Sequence, residues 1–283
     1  MSETRRADMP KAFFLPTDAG QRYCLFHPPQ GDTPRGGVLY LHPFAEELNS
    51  TRRIVAQQAR ALAQAGYGVL QIDLMGCGDS EGDFANATWA AWLHDAQQAH
   101  RWLRENTCGP LWLWGLRAGA LLASALANTL PGPNHLLLWQ PVASGQQMLQ
   151  QFLRLHAAGQ WLGTSKTSGP SPAHRLANDQ SVDIAGYTLN PALAKDLGAA
   201  RLQPPAQCPA QLVWLELSAH TEAVLGPAAE KQISAWQDAG WDVHAKALTG
   251  PLFWQTIGTD DAPALVQATL DALTATAPRT TLS

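Results

Sequence analysis

The sequence predicts an α/β fold, a mostly parallel central sheet with helices on both faces and a lid insertion. Three observations carry that prediction. Short apolar, β-rich runs alternate with runs at helical spacing along most of the 283 residues. Glycine-bearing turns follow two of the apolar runs, and a His-Pro turn follows a third. The rhythm breaks once, over 144–206, and then resumes, so residues 1–283 read as one domain with 144–206 as an insertion.

The elements follow in order. "RYCLFH" (22–27) and "GGVLYLH" (36–42) read as strands. Segment 50–65 reads as a helix with Val55, Ala59, Leu62 and Ala63 on one face, Ser50 as its cap and Gly66 as its stop. "GVLQIDL" (68–74) is a buried strand, and Thr88 caps a helix with the stripe Trp89, Trp92, Leu93, Ala96 and Leu103. The strand "LWLW" leads through a turn into a small-residue helix (118–129) and the strand "HLLLWQ" (135–140). Residues 144–160 are helical in pattern. The following "GTSKTSGPSPAHRLANDQSVDIAGYTLNP" carries no clear period and completes the lid. Strand 211–217, helix 227–239, strand 242–248 and helix 262–275 close the chain.

Composition excludes several classes. With 46% hydrophobic residues the chain can build a sizeable core. A net charge of −4 offers no footprint for nucleic acid or an anionic membrane. "MSETRRADMPKAFF" lacks the apolar centre of a signal peptide, and no apolar run reaches the roughly 20 residues of a membrane span. The four cysteines lack C-x-x-C spacing, which suits reduced thiols in the cytoplasm. The histidines show no H-E-x-x-H or clustered spacing, so neither a metal nor another cofactor is expected. The eleven tryptophans are expected in the core and in pocket walls.

Three segments resemble the working parts of an α/β-hydrolase. "VLYLHPFAEELN" ends a strand in His42-Pro43-Phe44, like the histidine–glycine turn that helps build an oxyanion hole. Pro43 lacks an N–H, and Phe44 retains one. "QIDLMGCGDSEGDF" resembles the D-x-x-G-x-G-x-S-x-G loop of the superfamily. "GLRAG" stands where G-x-S-x-G forms the nucleophile elbow. The combination "HPFAEE", "IDLMGCGDSEGD", "LWLWGLRAGALL", "LLWQPVASG" and "GPLFWQT" resembles the exosortase A system-associated hydrolases of type 2. That resemblance runs from Phe13 to Leu273. It implies the α/β-hydrolase fold, a cytoplasmic protein, and hydrolysis of an ester or acyl group in exopolysaccharide and envelope systems.

The residues depart from that chemistry. Arg117 occupies the nucleophile position, and a guanidinium that stays protonated is neither nucleophile nor base. Pro251 or Leu252 stands where the histidine belongs. Glu216 and Glu222 are available as the acid, but an orienting carboxylate needs its imidazole. Ordinary serine-triad catalysis is therefore not expected.

A cation at a helix N-terminus is opposed by the macrodipole by roughly 0.3–1 kcal/mol, so an anion should offset Arg117. One source is internal, Glu46 or Glu47, from the loop expected beside the elbow, in a bidentate pair. The other is a ligand carboxylate or phosphate held by Arg117 and the N–H groups of Phe44 and Ala118. Both can hold at once. His42 reads as a brace for the oxyanion loop or a displaced base. Ser80 reads as a turn hydroxyl, Cys77 as a packed thiol, Asp73 as a turn-ordering carboxylate, and His220 with Glu222 as a candidate dyad with His220 as base.

Two functions follow. As an enzyme, the protein would act on an acyl or related group with catalytic candidates Arg117, Glu46 and His42. As a non-catalytic pseudo-hydrolase, it would bind a small anionic or acyl ligand, or a protein partner, through Arg117, Phe44, Ala118, Glu46 and Glu47.

Overall fold

A computed structural model describes residues 9–161, 170–206, 209–256 and 260–275. The central sheet has eight strands in the order β1-β2-β4-β3-β5-β6-β9-β10. These are β1 (Lys11–Thr17), β2 (Gly20–His27), β3 (Gly36–Leu41), β4 (Tyr67–Ile72), β5 (Leu111–Leu116), β6 (His135–Trp139), β9 (Gln211–Ser218) and β10 (Asp242–Thr249). β1 and β2 run antiparallel, β2 also pairs antiparallel with β4, and the pairs from β4 through β10 are parallel. The eight α-helices of the described residues are α1 (Glu47–Gln64), α2 (Trp89–Asn106), α3 (Ala118–Thr129), α4 (Gly145–Trp161), α5 (Pro172–Ala177), α6 (Pro191–Ala199), α7 (Pro227–Asp238) and α8 (Pro263–Ala275). None is long and apolar enough to cross a membrane.

The expected sheet with helices on both faces is present, and side-chain alternation shows why. β3 and β5 are buried throughout, so each feeds two cores at period two. Leu39, Leu41 and Leu113 face one core with Trp92 and Leu103 of α2 and Leu122 of α3. Val38, Tyr40, Trp112 and Trp114 face the other with Ile54 and Leu62 of α1 and Leu265 of α8. Thr88 caps α2 as expected, its Oγ1 accepting from Ala91 N at 3.1 Å.

Three expectations need correction. α1 begins at Glu47, so Ser50 lies inside the helix, and Glu46 is the cap position. The reason is the tight turn at Phe44–Glu46, where Ala45 has a φ of 50° and Glu47 N donates to Phe44 O at 3.3 Å. Strand β1 was not foreseen because Pro16 interrupts its pattern; an edge strand tolerates that residue. The stretch read as irregular contains α5 and a hairpin of β7 (Val182–Ile184) and β8 (Tyr187–Leu189), and α6 begins at its last residue, Pro191. Residues 162–169 of that stretch and Cys208 lie outside the described residues.

Segment 144–206 lies between β6 and its sheet neighbour β9. Its two ends meet: Gly145 N donates to Ala200 O at 3.0 Å and Leu202 N to Ala143 O at 3.0 Å. Phe152, Ile184, Leu193 and Leu197 are buried in the same core as α2 and α3.

Candidate functional site

The site starts at a bend. β5 ends at Leu116, α3 begins at Ala118, and Arg117 between them has φ 55° and ψ −117°. A non-glycine residue held there costs about 1–3 kcal/mol, sustained only where its surroundings over-determine it. They do. Arg117 N donates to Trp139 O at 3.0 Å, and Ala120 N donates to Arg117 O at 3.1 Å. The bracketing glycines let strand and helix approach closely. A Cβ on Gly119 would lie 2.1 Å from Leu41 O, and one on Gly115 would lie 2.5 Å from Ala120 Cα.

The Arg117 side chain is buried and held from three directions. Its Nε and Nη2 each lie 3.2 Å from Glu47 Oε1. Nη2 also donates to Gln151 Oε1 of α4 at 2.8 Å. The guanidinium carbon stands 5.4 Å from the ring centroid of Trp254, within cation–π range. Of the two candidate partners, Glu47 makes the pair, because it is the first residue of α1. The expected fork on both oxygens is not formed: two nitrogens converge on Oε1, and Oε2 is buried without a partner. Burial pushes the Glu47 carboxyl up to about 7 although Arg117 opposes the shift. Glu46 is half-buried with its Oε2 also unpartnered, and burial raises its carboxyl too, against the nearby Arg117 charge.

A cavity of about 690 Å³ opens over this cluster, walled by Glu46, Glu47, Arg117, Met148, Phe152 and Trp254 among others. A second of about 210 Å³, lined by Trp214, Glu216 and Gln232, meets it at Arg117 and Gln151. Phe44 and Ala118 line neither. They face a separate void of about 10 Å³ with His42, Pro43, Trp92 and Leu197. That is scarcely room for one water. Their N–H groups have no hydrogen-bond acceptor among the described residues. The plug is aromatic: Phe44 packs edge-on to Phe152 at 5.1 Å and to Trp92 at 6.0 Å.

The remaining candidates lie elsewhere. His42 Nε2 accepts from Leu74 N at 3.3 Å, which leaves Nδ1–H to donate to Pro43 O at 2.8 Å. Nε2 thus ties the end of β3 to the end of β4 while Nδ1 braces the adjacent turn, and burial lowers the ring's pKa. Ser80 Oγ accepts from Tyr23 N at 2.8 Å and donates to Asp73 O. Asp73 Oδ2 accepts from Asp79 N at 3.1 Å. Cys77 is buried, and burial with the charges of Asp73 and Asp95 drives its thiol well up. Glu216 accepts from Trp214 Nε1 at 2.9 Å, and His220 and Glu222 are exposed. Among the described residues, no serine hydroxyl or cysteine thiol bonds to a histidine ring. No three of His, Cys, Asp and Glu gather there as a metal site.

Two contacts escaped the sequence. The loop after β10 faces Arg117 with Trp254, not Pro251 or Leu252; its Nε1 is buried without a partner. The eleven tryptophans hinted at a pocket wall without indicating which one. Gln151 carried no signal, being one polar residue on an insertion helix.

A family model described as serine aminopeptidase, S33 (Hydrolase_4), matches residues 32–213. The chain belongs to this family. Uncharacterized protein RP471 of Rickettsia prowazekii (strain Madrid E) is 32% identical over 112 residues, 39% of this chain and 46% of that protein. The chain thus spans about half the length of the relative it matches. Among solved structures, Est1E of Butyrivibrio proteoclasticus bound to ferulic acid aligns with a TM-score of 0.60 at 12% identity, over 93% of this chain and 96% of that one. A carboxyl esterase of Bacillus coagulans in complex with glycerol aligns at 0.59 and 13%, over 94% and 98%. XC6422 of Xanthomonas campestris, a serine hydrolase without lid, aligns at 0.54 and 18%, over 94% and 92%. At these identities the likeness is one of fold, and the fold is that of the α/β-hydrolases. The family's name specifies a serine. The strained bend of this member holds Arg117.

Proposed function

We propose that this member of the family is a binding protein, a hydrolase scaffold that receives a small ligand in the cavity above Arg117. One observation carries the reading: the bend that holds a nucleophile in hydrolases of this fold here holds an arginine paired to Glu47, beneath a cavity of about 690 Å³. A volume of that order suits a small organic ligand. Phe44 and Ala118, whose N–H groups would form the oxyanion site, line a separate void of about 10 Å³, which supports the same reading, since a bound carbonyl would need those groups within reach. The anion sought for Arg117 is supplied by the protein, so Arg117 acts as a wall and anchor. Segment 144–206 serves as a lid that contributes Met148, Gln151 and Phe152 to the site. The resemblance to exosortase A system-associated hydrolases supports a cytoplasmic role serving exopolysaccharide or envelope assembly. There the bound state would act as a sensor, a carrier or a signal to a protein partner.

The test has two arms. A fluorophosphonate probe should leave the protein unlabelled, and a panel of small metabolites should contain at least one that raises the melting temperature by mass action. Labelling at any serine overturns the reading.

One observation favours a second reading, hydrolysis of an ester or acyl group without a covalent intermediate. Glu47 lines the cavity with its carboxyl near 7, where a general base is effective. It would accept a proton from water while Arg117 polarises the carbonyl. Turnover abolished by both Glu47→Gln and Arg117→Ala, in folded proteins, would establish it.

A further inference from the structure

The groups around the cavity that lack partners identify the ligand's chemistry, an inference that rests on the binding reading above. The cation is already satisfied. Arg117 has Glu47 on two of its nitrogens, Gln151 on one, and Trp254 across its face. An anionic ligand would have to displace Glu47 from a pair that costs several kcal/mol to break when one partner is left buried alone. The acids are not satisfied. Glu46 Oε2 and Glu47 Oε2 are buried without a donor, and Glu47 is only 6% exposed. The two carboxylates and one guanidinium leave a negative excess against the cavity wall. Arg53, also on the wall, is engaged by Asp261 at 3.0 Å. A buried acceptor without a donor is unfavourable, more so when charged, so a donor brought by a ligand meets an existing deficit.

We infer that the cavity takes a ligand with a protonated amine on an apolar body, the amine received by Glu46 and Glu47 and the body by Met148, Phe152 and Trp254. The ammonium supplies several donors and the missing charge, and the Trp254 indole offers it a face as well. The raised carboxyls of Glu46 and Glu47 agree with this, since burial without sufficient counter-charge is what raises them. A bound ammonium would return both toward the usual range.

The experiment is calorimetric titration of the full-length protein at pH 8 with three probes sharing one apolar body: hexylamine, hexanol and hexanoate. Hexylamine should bind about tenfold tighter than hexanol, with hexanoate weakest. In Glu46→Gln, and likewise in Glu47→Gln, the preference for hexylamine over hexanol, measured within the same variant, should vanish. Glu46 does not pair with Arg117, so its variant keeps the test available if Glu47→Gln fails to fold. Hexylamine affinity should also fall from pH 8 to pH 5 as the carboxylates take up protons. Equal binding of the three probes, a preference for hexanoate, or full hexylamine affinity in Glu46→Gln overturns the amine assignment while sparing the cavity. If none of the three binds at millimolar concentration, the cavity reading itself fails.

Discussion

At Arg117 a permanent charge is buried in a place that costs backbone strain to build. The Glu47 pair is what makes that residue tolerable, so removing the carboxylate should be more damaging than removing the pair. Glu47→Ala is expected to cost about 3–5 kcal/mol of stability, because it leaves the guanidinium buried without its counter-charge. Glu47→Leu combined with Arg117→Met should recover most of that loss, and urea denaturation of the two variants beside the parent chain measures it. The same carboxyl predicts a pH dependence. Its folded pKa of about 7 lies above its ordinary value, so the folded state binds the proton more tightly than the unfolded state. Its contribution is therefore full below the ordinary carboxylate range. It is lost as pH rises from the ordinary value of 4.5 to about 7, and is flat above that. Denaturation midpoints at pH 5 and pH 8 should differ less in Glu47→Gln than in the parent chain.

At the scale of elements, the bend exists because β5 and α3 pack at glycine distance. Gly119→Ala forces a methyl group against the Leu41 carbonyl, and a loss of about 1–3 kcal/mol is expected, with cavity binding weakened because Arg117 shifts with α3. Thermal melting and probe titration together check both effects. A second joint lies under the glycine loop. Arg22 of β2 pairs with Asp95 of α2 at 2.8 Å, both buried, and Asp95 also accepts from Met75 N at 2.8 Å. Asp95→Ala should cost about 3–5 kcal/mol by leaving Arg22 buried without its counter-charge, again read by denaturation. Much of this scale was legible beforehand. The buried strands, the α2 cap at Thr88 and the glycine-bracketed bend are local patterns. β1 was hidden by Pro16, and the β7–β8 hairpin by a surrounding run of proline, glycine and serine whose composition resembles a loop.

For the whole molecule, the question is whether 144–206 is a detachable cover. Its helices contribute Phe152, Leu193 and Leu197 to the main core, its ends are stapled together at Gly145 and Leu202, and Ser124 of α3 donates to Gln203 O at 2.5 Å. Asn190 Nδ2 donates to Ala87 O at 2.7 Å on the opposite side. The insertion and the sheet should therefore unfold together. Far-ultraviolet circular dichroism and tryptophan fluorescence are expected to give coincident single transitions, whereas an earlier loss of helix signal would mark the insertion as an independent unit.

Outside β1 and the stretch after α4, the sequence by itself determined the alternation of strands and helices, the α/β fold class, and the arginine at the bend, because those follow from periodicity and from residues adjacent in the chain. Only the tertiary structure decided that Glu47 rather than Glu46 meets Arg117. Successive helical side chains diverge by about 100°, and the phase depends on where α1 starts. It also brought Gln151 and Trp254 onto the guanidinium and separated Phe44 and Ala118 from the cavity. Those outcomes depend on which distant segments pack together, and no local pattern encodes that.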